Sequence, residues 1–352
     1  MFQLILGRSG SGKTEEIWKR LKACIFSEEA EGNCILLVPE QFSFETERAL
    51  LRRLGPAASL HIKVYSFTRM AEMVRREVGG RSGTSMLSST RVVLLAKTLR
   101  ELSDNLRIYG SKRLDITRLS SILALLEELH GCAISADRLA DLSEQLPSGG
   151  LKNKLYDLSL IDNGYQAQIA RSYLDPMDDL LHLAEDLPQS RFFRGAHIFI
   201  DGFKSFTGQQ KLVLEALMPM AADVTVSLCC DPFGDPDGSD VFADAAATAA
   251  YLDRCARQNG MPVASPLRLT TDYRHANTPA LSTLESGLYA IGEPLEDEQL
   301  PVKLMTAPTV YEECRLAIRR LRRYLREGGR GRHATVVVRN LGTYAGVLEP
   351  ML

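Results

Sequence analysis

Two hydrophobic rhythms alternate along the chain, and the points where they change mark its organisation. A continuous apolar run stands at 34–38, a mostly apolar one at 2–6, and Leu60 to Tyr65 reads as a third strand. A run that is apolar at nearly every position suits a strand buried on both faces, as in a parallel sheet. Between these runs lie segments with helical spacing, at about 14–24, 40–54 and 66–78, the second stopped by Gly55-Pro56. Strand and helix therefore alternate over the first 78 residues, which predicts a parallel α/β sheet with right-handed crossovers.

From Gly79 to about Arg194 only the helical rhythm remains. Ser88-Ser89-Thr90 forms a helix start, followed by Val92, Leu95, Leu99 and Leu102 on one face. Leu119, Ile122, Leu123, Leu126 and Leu129 repeat the spacing, and further helices are expected at 136–146, 151–174 and 177–186. No strand is expected here, so 79–194 is predicted to be an all-helical insertion.

The alternation then returns. Strands are predicted at 196–200, ending on Asp201, and at 223–230, ending on Asp231, with a shorter one at 267–270. Helices are expected at 208–218, 240–259 and 277–290. Residues 1–78 and 195–291 thus make one discontinuous α/β domain. A linker from Gly292 to Pro301 precedes 301–352, where strands at 302–306 and 334–339 flank an arginine-rich helix at 311–327. This last stretch reads as the start of a second α/β domain, too small for a sheet of its own, so a longer protein is expected.

Composition changes little in this picture. Of 352 residues, 45% are hydrophobic and 24% charged, ordinary for a globular chain. The formal net charge of −2 supplies no overall field for nucleic acid, so any such binding must be local. No stretch approaches the roughly 18 continuous apolar residues of a membrane span. The seven cysteines include no CxxC pair, and Cys34, Cys229 and Cys230 sit in apolar runs as expected of buried thiols. With a core strand where a signal peptide would stand, a cytoplasmic location is expected.

The chemistry concentrates at the end of the first strand. Gly7-Arg8-Ser9-Gly10-Ser11-Gly12-Lys13-Thr14 fits the phosphate-loop pattern and sits between strand and helix, the context that gives the pattern meaning. Glycines let successive N–H groups approach phosphate oxygens, Lys13 supplies a point charge, and the Thr14 hydroxyl can take one place around Mg²⁺. The bland alternative is a Gly/Ser turn that binds nothing. Asp201 is the strand-end acid expected to hold the metal's water shell. The next position, Gly202, has no carboxylate to orient an attacking water. Mg-ATP binding with slow or absent hydrolysis follows; the alternative for Asp201 is an acid that caps the next turn.

The order of these segments resembles that of superfamily-one helicases of the UvrD type and, more closely, the N-terminal region of the AddB family (also RexB), the B subunits of bacterial helicase–nucleases. The similarity runs through the phosphate loop with its strand, Leu37-Val38-Pro39-Glu40-Gln41-Phe42-Ser43-Phe44, Val64-Tyr65-Ser66-Phe67-Thr68-Arg69 and Ile200-Asp201-Gly202-Phe203. Asp272-Tyr273-Arg274 and 336–340 are looser matches. The resemblance implies a RecA-like domain with a helical insertion and the start of a second such domain. It implies ATP and Mg²⁺ as ligands, an AddA-type partner that carries the active motor, and a role at double-strand DNA ends during recombinational repair. It implies DNA contacts from Gln41 and Ser43 in one loop and Phe67 and Arg69 in another. Phe203 and Phe206 follow the strand-end acid and are placed in the same channel; the alternative for the phenylalanines is core packing. Arg274 corresponds to an arginine on the terminal phosphate, or else lies on the surface. The family's nuclease site and iron–sulfur cysteines belong to its C-terminal part and map onto no residue here. No glutamine-bearing segment precedes the loop, so adenine selectivity is not implied.

Arg315, Arg319, Arg320, Arg322, Arg323 and Arg326 crowd one predicted helix, with Leu316, Ile318, Leu321 and Leu325 as its buried side. A solvated face and a DNA-backbone contact are the two readings. Rival functions are a small-molecule kinase, an active motor in its own right, and a structural scaffold with a vestigial loop.

Overall fold

The computed structural model describes residues 1–26, 33–80, 83–110, 115–170, 173–231, 241–287 and 302–352. The chain opens with β1 (Phe2–Gly7), α1 (Lys13–Phe26), β2 (Cys34–Leu37), α2 (Ser43–Leu54), α3 (Ala58–His61), β3 (Ile62–Tyr65) and α4 (Phe67–Val78). The strand expected at 60–65 forms only over Ile62–Tyr65. After Pro56 the chain makes one helical turn, with Leu60 N–H bonded to Ala57 O at 3.2 Å, and pairing begins only at Ile62. Leu60 is left 74% exposed. Ser66 caps α4 by accepting from Arg69 N–H.

The helical span follows as β4 (Thr84–Ser85), α5 (Ser88–Glu101), α6 (Ile116–Gly131), α7 (Ala136–Gln145), α8 (Gly150–Ile169), β5 (Tyr173–Leu174) and α9 (Asp179–Asp186). Leu95, Leu99, Leu119, Ile122, Leu126, Ile161 and Tyr165 share one core there, as the spacing of the first two helices foretold. The span is not all helix: β4 and β5 pair in parallel, Thr84 with Tyr173 and Ser85 with Leu174. Two residues are too few to show an alternation, so this ladder leaves no trace in the hydrophobic pattern.

The chain then returns to the sheet with β6 (His197–Ile200), α10 (Gly208–Leu217), β7 (Asp223–Cys229), α11 (Ala243–Gln258), β8 (Leu267–Leu269) and α12 (Pro279–Gly287). Thr207 and Gln210 form a capping box at the start of α10. The main sheet is β3-β2-β6-β7-β1-β8, with every pairing parallel. The continuous apolar runs follow from core on both faces. Phe2, Leu4, Leu6, Ile35 and Leu37 enter one cluster, and Ile5, Cys34, Leu36 and Val38 enter another with Ile17, Trp18 and Leu21 of α1.

Met1–Asn277 forms one compact unit together with Ser286–Ile291; Thr278–Glu285 and Gly292–Leu352 form a second. The expected linker at 292–301 lies outside the described residues. The second unit contains α13 (Val310–Arg326) and α14 (Leu341–Leu348). Among its described residues no strand forms, contrary to the expectation at 302–306 and 334–339. Both segments lack a ladder partner, and Leu304 and Val337 are 93% and 87% exposed. A strand exists only where a neighbour accepts its backbone hydrogen bonds, and local apolar character cannot supply one.

Candidate functional site

The loop between β1 and α1 borders a cavity of about 720 Å³, lined by residues Ser9 to Glu16 with Lys19, Cys229, Leu269, Tyr273 and Arg274. Lys13 opens α1 and turns its ammonium back onto the loop, donating to Gly7 O at 2.9 Å and Arg8 O at 2.8 Å. Its charge is thereby held beside the backbone amides and the positive end of the helix. The segment after β8 closes over the loop: Tyr273 N–H donates to Gly10 O at 3.1 Å, and the Arg274 guanidinium donates to Ser9 Oγ at 2.6 Å. Asp272 steadies that segment, accepting from His275 N–H at 3.1 Å. Gly10 has φ +86°, the left-handed region, and its backbone oxygen could not meet Tyr273 so closely with a side chain in the way.

The predicted loop residues do not all face this space. Gly7 and Arg8 contribute carbonyls to Lys13, but the Arg8 side chain turns away from the cavity. Its Nε lies 3.0 Å from Asp231 Oδ2, and its guanidinium sits 5.5 Å from the Phe242 ring centre. The Arg8 side chain thus braces the loop against the end of β7, and Asp231 is taken up by the same pair. Ser11 is 4% exposed, and its Oγ is buried without a hydrogen-bond partner. An orphaned hydroxyl inside a loop of converging N–H groups fits a site built for an anion.

Thr14 lies between two spaces. It borders the loop cavity and also a second one of about 350 Å³ that it shares with Val38, Pro39, Phe42, Asp201 and Gly202. Asp201 follows β6, with β7 between it and the loop strand. Ser227 of β7 donates to Asp201 Oδ1, which orients the carboxylate. One hydroxyl and one oriented carboxylate on a common wall are hard oxygen donors, the type a hydrated Mg²⁺ takes. Among the described residues no group of three or more His, Cys, Asp or Glu side chains is arranged to hold a metal. Gly202 has φ +81°, and a Cβ built there would lie 3.3 Å from Pro39 Cδ.

The residues matched to DNA-contacting loops divide by burial. Gln41 is exposed, and Ser43 is half-buried with its hydroxyl donated to Glu40 O at 3.0 Å. Arg69 is half-exposed and paired with Glu47 at 2.5 Å. Phe67 and Phe206 are only 5% and 6% exposed. They stack edge-on, with centroids 6.3 Å apart, and Phe67 meets Phe203 the same way at 5.6 Å. Direct stacking of Phe67 and Phe206 on a base is therefore corrected: their rings are committed to the core, and half-buried Phe203 packs against it. In the stretch 37–44, Phe42 at 46% and Phe44 at 66% do reach solvent. They flank Ser43 in the same matched stretch, but an apolar run does not reveal which ring faces out. Tyr273 is 67% exposed beside Arg274 at the loop cavity, and its position in the chain gives no sign of that either.

On α13 the buried positions are Cys314 and Ile318, while Leu325 is 42% exposed. Arg315, Arg319, Arg322 and Arg326 border a cavity of about 340 Å³ with Tyr311. Arg315 pairs with Glu312 at 3.1 Å, and Arg322 donates to Met351 O at 2.8 Å. Among the described residues no single helix is long and apolar enough to cross a membrane.

The family described as "ADDB, N-terminal" matches residues 4–285. The chain is 30% identical over 356 residues to the B subunit of the ATP-dependent helicase/deoxyribonuclease of Clostridium novyi (strain NT), covering 99% of this chain and 31% of that protein. It is 31% identical over 353 residues to the protein of the same name from Acetivibrio thermocellus, with 99% and 31% covered. Against that of Desulforudis audaxviator (strain MP104C) the identity is 34% over 357 residues, with 97% and 30% covered. The chain thus spans less than a third of the length of these curated relatives.

Proposed function

The chain belongs to the AddB N-terminal family, and on that premise we propose that it is the nucleotide-holding, DNA-contacting part of a helicase–deoxyribonuclease complex. The observation that carries the proposal is the phosphate-loop pattern with Lys13 poised over a cavity of about 720 Å³, within the usual size range of a small-ligand pocket. A RecA-like identity is supported by the sheet order, in which β7 separates the loop strand from the strand that ends at Asp201. Under this reading 1–78 and 195–291 form the phosphate-loop domain, 79–194 the insertion, and 301–352 the start of a second domain.

The loop amides, Lys13 and Arg274 would bind the phosphates of ATP. Thr14 and Asp201 would hold Mg²⁺, which supplies neutralisation of phosphate charge. Because Gly202 offers no carboxylate, hydrolysis is slow or absent. Gln41, Ser43 and Arg69 contact single-stranded DNA, joined by Phe42 and Phe44, whose exposed rings suit sequence-tolerant base stacking. Phe42 shares a cavity wall with Thr14 and Asp201, so nucleotide occupancy would tune the DNA grip through that wall. The relatives are named as one subunit of a helicase/deoxyribonuclease, which supports a partner of AddA type acting with this chain at double-strand DNA ends.

The test is ADP production from saturating Mg-ATP, with and without single-stranded DNA, alongside a fluorescent-nucleotide titration and Lys13→Ala as blank. The expected result is saturable binding that Lys13→Ala loses, with turnover no higher than the blank. Strong DNA-stimulated turnover would instead mean a working motor. Absence of binding would mean a vestigial loop in a scaffold.

A further inference from the structure

The loop cavity occupies the C-terminal ends of the strands. A separate row of chemistry-bearing groups runs along their N-terminal ends. Strand register aligns Cys34, the first residue of β2, with His197, the first of β6, and His197 with Asp223, the first of β7. Aligned residues of neighbouring strands project to the same face. His197 Nδ1 lies 2.8 Å from Asp223 Oδ2, and the Met1 ammonium donates to Asp223 Oδ1 at 3.0 Å. The face is the one that α1 covers. Cys24, in the last turns of α1, packs against the cluster containing Cys34, one and two helical turns beyond Leu21 and Ile17. The two thiols are close enough for each to shift the other's ionisation. Cys24 is half-buried and Cys34 is buried.

We propose that Cys24 is a peroxide-reactive thiol and that Cys34 resolves its oxidation into a disulfide, which makes the pair a modification site at the sheet edge opposite the loop cavity. The arrangement has the parts such chemistry needs: a partly accessible sulfur, a second thiol in contact with it, and an imidazole anchored by a carboxylate nearby. The neighbouring Cys34 thiol, working against burial and helped by His197, holds the Cys24 thiol down to about 7, while Cys24 and then burial push Cys34 up. The proton therefore stays on Cys34 and the nucleophilic form falls to Cys24.

The Cys24 thiolate attacks one oxygen of hydrogen peroxide. A sulfur–oxygen bond forms, the peroxide bond breaks, and the departing hydroxide takes up a proton as water. The Cys34 sulfur then attacks the Cys24 sulfenic acid, forming the disulfide and expelling the oxygen as a second water with the Cys34 proton. Two thiols lose two electrons in total, and one peroxide gains them. The disulfide ties the last turns of the phosphate-loop helix to the start of β2.

The test treats the chain at pH 7 with one equivalent of hydrogen peroxide, alkylates the remaining thiols in denaturant and maps unreduced peptides by mass spectrometry. The expected product is a Cys24–Cys34 linked peptide that has lost two hydrogens and reverts with a thiol reductant, the free-thiol count falling by two from seven. At that pH Cys24 carries on the order of ten times the thiolate of an ordinary cysteine, so Cys24→Ser, which leaves six other thiols, is expected to slow peroxide consumption about threefold. Cys34→Ser is expected to leave Cys24 as a sulfenic acid that a 1,3-dione reagent traps. Oxidation confined to exposed Cys132, or a wild-type product with Cys24 overoxidised and unlinked, would overturn the proposal. The wild-type peptide map decides the matter without relying on either variant folding.

Discussion

A methyl group on Gly10 would lie 2.5 Å from the Cβ of Arg274, so the loop between β1 and α1 and the segment after β8 pack too closely to admit a side chain there. Gly10→Ala therefore meets both that contact and a left-handed φ of +86°. The expected cost is about 1–3 kcal/mol of stability, with weaker nucleotide binding because Arg274 and Tyr273 are displaced. Denaturant unfolding with a parallel nucleotide titration checks both effects.

Lys13 makes its hydrogen bonds to loop carbonyls rather than to any core group. Lys13→Ala should leave the unfolding midpoint nearly unchanged. Loss of a charge-assisted bond worth about 1.5–3 kcal/mol should weaken nucleotide binding roughly 10- to 100-fold. A fluorescent-nucleotide titration at fixed ionic strength is the measurement.

Supplying the missing acid should not create a motor. Gly202 sits at φ +81°, with Pro39 Cδ 3.3 Å from where a side chain would begin. Gly202→Glu is expected to lose about 1–2 kcal/mol of stability and to show no ATP turnover above the Lys13→Ala blank. A robust DNA-stimulated rate in Gly202→Glu would mean that the backbone adjusts and that only the carboxylate was lacking.

The phenylalanines separate by what each ring touches. Phe44→Ala removes a ring that is 66% exposed, and single-stranded DNA binding should fall by about 1–3 kcal/mol per lost stack while stability holds. Phe67→Ala empties a core site and should cost about 3–5 kcal/mol of stability. Fluorescence anisotropy with a labelled oligonucleotide, paired with thermal unfolding, distinguishes the two.

The helical span carries its own pH dependence. His130 lies 2.8 Å from Asp162 through Nε2 and 2.7 Å from Asp178 through Nδ1, an arrangement that needs a proton on both ring nitrogens. Burial opposes that charge, but the two carboxylates outweigh it and hold the imidazole up at about 10, against an ordinary 6.5. Its stabilisation is full below pH 6.5 and is lost as pH rises through about 10. Asp178 is opposed by burial and held down by His130, so its share is present above 3.8 and is lost as pH falls through its lowered value. Thermal unfolding from pH 6 to 10 should show a decline of a few kcal/mol. His130→Gln should be less stable by about 3–5 kcal/mol at pH 6 and lack that decline.

Local chemistry determined much of this protein. Mostly apolar runs named the buried strands because both faces of the sheet are covered, and the return of those runs after 194 marked where the chain re-enters it. The phosphate-loop pattern was legible because its glycines, lysine and threonine stand within eight consecutive residues. What the sequence left open depends on neighbours distant in the chain. Phe67 and Phe206 are core because they meet each other although far apart in the chain, whereas Phe44 has the Arg48 guanidinium over its ring and stays 66% exposed. Arg8 turns to Asp231, and Cys24 meets Cys34 and His197, only once the parallel strands are in register. The apolar segments at 302–306 and 334–339 remain unpaired for the same reason. A residue's own character sets what it can do, and only the tertiary structure decides which partner it meets.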